Sequence, residues 1–350
     1  MDNKPFRNAF DLLAFMLLLC LPLSFQKGAD VQEPRRGAGQ TPAEEPKIFK
    51  PGPLSPYLIE WYLDISDDAD LRQIWRQLKI EAPDDRPYRC GGDCATETFN
   101  LGVGGESGGD AVALKISVEG RGFYQYLIFR EIRAGTGGKE EWVFLGNIDS
   151  RGQRDAPPEY RVETGSGRTW FVLRELSRRE PEAMARREVW HEIKEGEVKQ
   201  VLSYPLDGYD RACGGLPRRS HKAMILHHGT EDGEYTVPVQ FLVSYDISDC
   251  RQKDDSRALF AKGQRARYVW SAERERFVLD ASRSDITEEE LSRVYGAEAL
   301  SSEKFIEYNF EELSSVATSG NLKQKEWLRK FLTGAADGPR KSALLQRLTP

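Results

Sequence analysis

Residues 88–110 read YRCGGDCATETFNLGVGGESGGD, the densest run of reactive residue types in the chain. Cys90 and Cys94 have the spacing of zinc ligands, and also of a short disulfide loop. Gly105-Glu106-Ser107-Gly108-Gly109 matches the G-x-S-x-G of a serine nucleophile elbow. An elbow needs a strand before the serine and a helix after it, because that turn exposes the hydroxyl. Here Val112, Leu114, Ile116 and Val118 alternate, which predicts a strand where the helix is required.

Leu101-Gly102-Val103-Gly104 with Val112-Ala113-Leu114-Lys115 resembles the glycine loop and strand lysine of protein kinases. The hairpin between loop and lysine is too short. No His-Arg-Asp or Asp-Phe-Gly follows to supply a base and a magnesium ligand, so the resemblance implies no kinase activity.

The ends of the chain decide how the cysteines read. Leu12 to Phe25 is an apolar run preceded by Lys4 and Arg7. It is shorter than the roughly 20 residues of a membrane span and suits a signal peptide over residues 1–26, cut near Gln26. Asp11 and the weak cleavage site keep an uncleaved anchor as the alternative. Cys20 follows Leu19, which is not the small residue a lipoprotein signal wants. Of the five cysteines, export leaves Cys90, Cys94, Cys213 and Cys250. In an oxidising compartment these are expected as disulfides ahead of zinc. Cys213 and Cys250 are equidistant from the midpoint of Glu231 and Asp232, where a hairpin turn is expected. The pairing selected is therefore Cys213–Cys250 and Cys90–Cys94.

Other ligand sets are weak. The four histidines, His191, His221, His227 and His228, are scattered. Adjacent His227 and His228 would point to opposite faces of a strand. Asn147, Asp149 and Gly152 partly match a calcium loop, but Arg151 stands where an oxygen ligand belongs. Glu131, Glu159, Glu175, Glu188 and Glu192 lie on or near expected strands. Any pair among them could serve glycoside hydrolysis only if the fold sets them face to face. No metal and no cofactor is assigned.

A net charge of −6 becomes slightly more negative without residues 1–27, which argues against a nucleic-acid surface. With 39% apolar and 30% charged residues, the remainder has the composition of a globular protein. Residues 27–56 are rich in proline and poor in apolar side chains, and are expected to be a disordered tether. Residues 57–281 are expected to form a mainly β domain, an antiparallel sandwich or barrel-like meander ahead of a propeller. Tyr57 to Ile65 is expected to be a strand or docking segment. Leu71, Ile74, Trp75 and Leu78 predict a helix over about 67–80, capped by Ser66 or Asp67. Residues 121–133 are apolar on both faces, which predicts a covered central strand. Pro238 predicts an edge position or a bulge in the strand 235–247. Residues 282–350 are expected to be a helical segment packed on the β domain. Thr287 caps its first helix, and Phe305 to Val316 is its second, interrupted in its apolar face by Asn309.

These features predict an exported, non-catalytic binding or structural protein of the periplasm or cell surface. The ligand and oligomeric state are left open, and cell-envelope or polysaccharide contact is the expected setting. A secreted carboxylate-dependent hydrolase of a glycan is the first alternative. The second is an envelope-associated protein using the basic helices near Lys323, Lys325, Arg329, Lys330, Arg340, Lys341 and Arg347. Non-reducing peptide mapping is expected to recover Cys90 joined to Cys94, and Cys213 joined to Cys250. A Cys90 peptide joined to Cys213 or Cys250 would overturn the pairing.

Overall fold

The computed structural model describes residues 54–65, 69–81, 89–91, 94–102, 110–133, 140–153, 157–180, 183–194, 197–210, 215–231, 233–247, 257–295 and 300–349. The expected signal peptide, the tether up to residue 53, the glycine loop 103–109 with Ser107, and Cys213 and Cys250 lie outside these residues.

Two helices come first. Helix α1 spans Pro56–Ile65, so of the expected strand or docking segment at 57–65 the strand is corrected to a helix, which packs on the first sheet. Ser55 accepts from the Leu58 amide and Pro56 sits at the first helical position, an N-terminal signature in its own right. Ile59, Tyr62 and Leu63 then recur at helical spacing and are buried. Helix α2, Leu71–Leu78, starts later than expected, because its cap is Asp70, which accepts from the Arg72 amide.

Four strands follow in the order β1-β2-β3-β4: Cys94–Asn100, Ala111–Val118, Phe123–Arg133 and Glu140–Arg151. All pairings are antiparallel. As expected, β3 is central and buried on both faces from Phe123 to Phe129. One face packs on α1 and α2 through Leu114, Ile116, Leu127 and Phe129. The other face meets the second sheet through Tyr126, Ile128, Phe171 and Ile193.

The second sheet has nine strands. They are β5 Glu159–Gly165, β6 Arg168–Glu180, β7 Ala183–Lys194, β8 Glu197–Asp210, β9 Arg218–Ile225, β10 Gly229–Glu231, β11 Glu234–Ile247, β12 Arg257–Ser271 and β13 Arg276–Leu279. The fold is thus mainly β with antiparallel sheets and helices at both ends, and the sheets do not close into a barrel. Strand β8 shapes the site. The register with β7 slips at Arg186/Arg187 and at Trp190/His191, leaving Leu206 and Val201 unpaired. Each extra residue bends and twists the strand. Only Asp207–Asp210 of β8 pair with β9. The sheet therefore turns back on itself until Lys194 and Lys199 reach Glu275, in the turn before β13.

Pro238 is interior, not at an edge, because β11 pairs with β12 along its length. On its other side the ladder jumps from β9 to β10, and residues 226–228 leave the strand. The ring thus occupies a place where no ladder bond is owed. The β9–β11 ladder is centred on Asp232, half a residue beyond the expected midpoint.

The C-terminal helices are α3 Glu288–Tyr295, α4 Ser302–Tyr308, α5 Phe310–Ser319, α6 Leu322–Gly334 and α7 Pro339–Leu348. Thr287 caps α3 as expected, accepting from the Glu290 amide. The expected second helix is two helices, because Asn309 breaks it. Its backbone leaves the helical region, and its side-chain amide donates to the Phe305 carbonyl. Leu291, Phe305, Leu313, Leu328, Leu332 and Leu344 join one core with Val237, Phe241, Val243 and Tyr245. Each fully buried side chain of this kind is worth about 1.5–3 kcal/mol.

Every one of these helices ends on a cation. Arg219 donates to Val294 in the last turn of α3. Lys262 and Arg340 reach Tyr308 and Glu307 of α4. Lys325 reaches Thr318 of α5, Lys341 reaches Ala335 after α6, and Arg329 reaches Leu348 of α7. These carbonyls have no partner within their own helix, and they carry the negative end of its dipole.

Candidate functional site

The polar centre of the fold is built by register. Glu159, Arg174, Glu188 and Tyr204 are direct cross-strand partners on β5 to β8. Two residues along, Arg161, Val172, Trp190 and Leu202 form the neighbouring row. Strand alternation puts both rows on one face.

Glu188 is fully buried in this face. Arg161 grips it with both terminal nitrogens, Nη1 at 2.8 Å from one oxygen and Nη2 at 2.8 Å from the other. Arg174 Nε donates at 2.9 Å, Trp190 Nε1 at 3.0 Å and the Tyr204 hydroxyl at 2.5 Å. Burial alone pushes this carboxyl up. The guanidinium of Arg161, with Tyr204 and Arg174, outweighs it and holds the group down at about 2. Arg161 also donates to Glu163 at 2.7 Å, and Glu163 lies 3.4 Å from His228.

The clamp reaches a cleft. The ring of Tyr204, fixed by its hydroxyl on Glu188, stacks on Tyr268 at 5.9 Å between centroids. Tyr204, Tyr268, Phe277, Leu291 and Tyr295 line a cavity of about 590 Å³. It is bounded by β6–β8 on one side and by β12, β13 and α3 on the other. Arg187, Arg276 and Glu288 are its charged lining residues. Arg187 is already bonded to Glu175 at 2.7 Å. Among the described residues the buried Tyr268 hydroxyl has no hydrogen-bond partner, as is true of Tyr126 and Tyr245. Behind the cleft, Tyr295 donates to Gln264 at 3.2 Å and presents its ring to His221 at 5.4 Å.

The residues singled out in the sequence scatter. The sulfurs of Cys90 and Cys94 lie at disulfide distance, 2.20 Å, remote in the chain from this cleft. Lys115 pairs with Glu97 across β1 and β2 at 2.9 Å, an ordinary cross-strand ion pair. Asn147 and Asp149 are on β4, not in a loop. Asp149 accepts from Gln125, which accepts from the Trp75 indole, so this carboxylate helps anchor α2 to the sheet. His227 and His228 are in the 226–228 connection rather than on a strand. Among the described residues no group of His, Cys, Asp or Glu is disposed to hold a metal.

Of the glutamates, Glu188 carries the clamp, Glu159 meets Arg174 at 3.3 Å, Glu175 meets Arg187, and Glu192 is bound by Arg168. Sequence reasoning missed Arg161, Arg174, Tyr204 and Tyr268. One signal was present. Glu188 and Glu192 flank Trp190 at a spacing of two on an expected strand, and two carboxylates on a tryptophan's face demand cationic partners.

Replacing Glu188 by Gln leaves the half-exposed Arg161 and Arg174 against a neutral amide. The expected loss is about 1.5–3 kcal/mol of stability, from weakened charge-assisted hydrogen bonds, read by urea unfolding at pH 7. The pH dependence has a definite sign. Burial pushes the His191 and His221 imidazoles down to about 4, so the unfolded chain binds their protons first and stability falls as pH drops from 6.5 towards 4. Glu188 adds a further loss from its ordinary 4.5 towards 2. In the Glu188→Gln variant the curve is expected to flatten below 4.5. An unaltered slope there would refute the clamp.

No protein-family model, no curated protein and no solved structure matches the chain. The functional reading therefore rests on the chemistry of the clamp and the cleft.

Proposed function

We propose that the protein is an exported, non-catalytic binding protein of the periplasm or cell surface. It holds a small amphipathic ligand in the cleft between β8, β13 and α3. The observation that carries this is the cleft itself. A cavity of about 590 Å³ is in the usual range for small-molecule sites, and its aromatic floor joins an unsatisfied hydroxyl and a few charged groups.

Four of the five candidate glutamates support binding over hydrolysis. A glycosidase acid must keep its proton near neutral pH, which requires a raised pKa. Glu188 is shifted the opposite way, and Glu159, Glu175 and Glu192 each face an arginine. The basic helices support the same choice. Lys325, Arg329, Arg340 and Lys341 are spent on helix ends, which weakens an envelope-docking role for that tail. Export rests on the sequence reading of residues 1–26.

The test uses the uncharged fluorophore N-phenyl-1-naphthylamine. Saturable binding is expected, with fluorescence enhancement. Ser292→Trp, on the α3 wall, should weaken it about tenfold or more by filling the cleft, whereas Ser315→Trp on the exposed face of α5 should leave it unchanged. Absence of saturable binding, or equal binding by both variants, would overturn the assignment.

A further inference from the structure

The charges of the cleft define its ligand more closely, given the binding reading above. Arg187 is neutralised by Glu175 at 2.7 Å. Arg276 and Glu288 are exposed lining residues of opposite sign. Among the described residues neither forms an ion pair, with the other or with a third group. Opposite charges on one cleft ordinarily neutralise each other when they can reach. Left apart, they present two separate sites.

The same cleft is lined by aromatic residues. Tyr204 and Tyr268 are stacked with an interplanar angle of 21° and stand beside Phe277 and Tyr295. Such faces attract an ammonium group through their negative quadrupole. Glu288 and Tyr268 both line the cleft, and the carboxylate raises the Tyr268 hydroxyl further. A cation seated there gains from both. Arg276 offers a planar fork of donors suited to carboxylate or phosphate oxygens.

We infer that the cleft binds a zwitterion, with an ammonium group beside Glu288 and the tyrosine faces and an anionic group on Arg276, joined to an apolar body. A phosphocholine amphiphile has this chemistry.

Displacement of N-phenyl-1-naphthylamine by four decyl compounds below their micellar concentrations tests it. Decylphosphocholine is expected to displace the probe roughly five- to tenfold more tightly than decyltrimethylammonium, decyl sulfate or decyl maltoside. Arg276→Gln should reduce the phosphocholine advantage over decyltrimethylammonium about fivefold without affecting decyltrimethylammonium itself. Glu288→Gln should weaken both ammonium compounds about threefold and spare decyl sulfate. Both residues are exposed, so neither substitution threatens the fold. Equal displacement by all four compounds, or a preference for one singly charged compound, would overturn the zwitterion while leaving the cleft as a binding site. Failure of the probe to bind would instead overturn the binding reading.

Discussion

A single buried carboxylate sets the geometry of the larger sheet. Glu188 takes donors from β5, β6, β7 and β8, through Arg161, Arg174, Trp190 and Tyr204. An unpaired charge in such a place is prohibitively costly, so the four strands must keep the register that brings the donors in. A slip of one residue on β6 would send Arg174 to the opposite face. The clamp is weak evidence for net stability, since apolar replacements of similar shape can do as well. Its contribution is specificity. It fixes which residues face inward, and it fixes the Tyr204 ring that stacks on Tyr268 in the cleft wall.

The cleft arises because that rigid row adjoins a bend. Val201 and Leu206 are extra residues in β8, and beyond them the sheet turns until β13 comes back beside β8. The remaining gap is walled by α3, which is itself held at its C-terminal end by Arg219. Sheet curvature, helix capping and the polar row thus converge on one cavity. The chain's many cations and anions find their use here. Most arginines and lysines near the site are committed to a carbonyl or a carboxylate, which makes uncommitted Arg276 and Glu288 stand out.

Much of this architecture was legible in the sequence. Period-two alternation located β2, the run 121–133 apolar on both faces marked β3 as a covered central strand, and Thr287 marked the start of α3. The failures have physical reasons. Residues 57–65 are apolar at almost every position, so periodicity could not separate strand from helix, and Ser55-Pro56 was the signal to weigh. Asn309 was visible as a polar interruption, but its competition for the Phe305 carbonyl depends on local geometry. Pro238 was expected at an edge or a bulge and is at neither in the β11–β12 ladder, because the break is in the strands on its other side. The site was nearly invisible. Its members come from β5 to β8, β12, β13 and α3, and only the fold shows which glutamate meets which arginine.

The glycine-rich run that drew attention first contributes a lead-in strand, β1, and a cysteine pair rather than the cleft. Chemistry-bearing residue types at suggestive spacing were less informative than a glutamate sharing a strand face with a buried tryptophan. The central claim is that Glu188 stays ionised, held by arginine, at the heart of the sheet. Titration of its side-chain carboxyl carbon by 13C NMR tests this directly. The account predicts an ionised signal down to about 2. Protonation at or above the ordinary carboxylate value of 4.5 would contradict it.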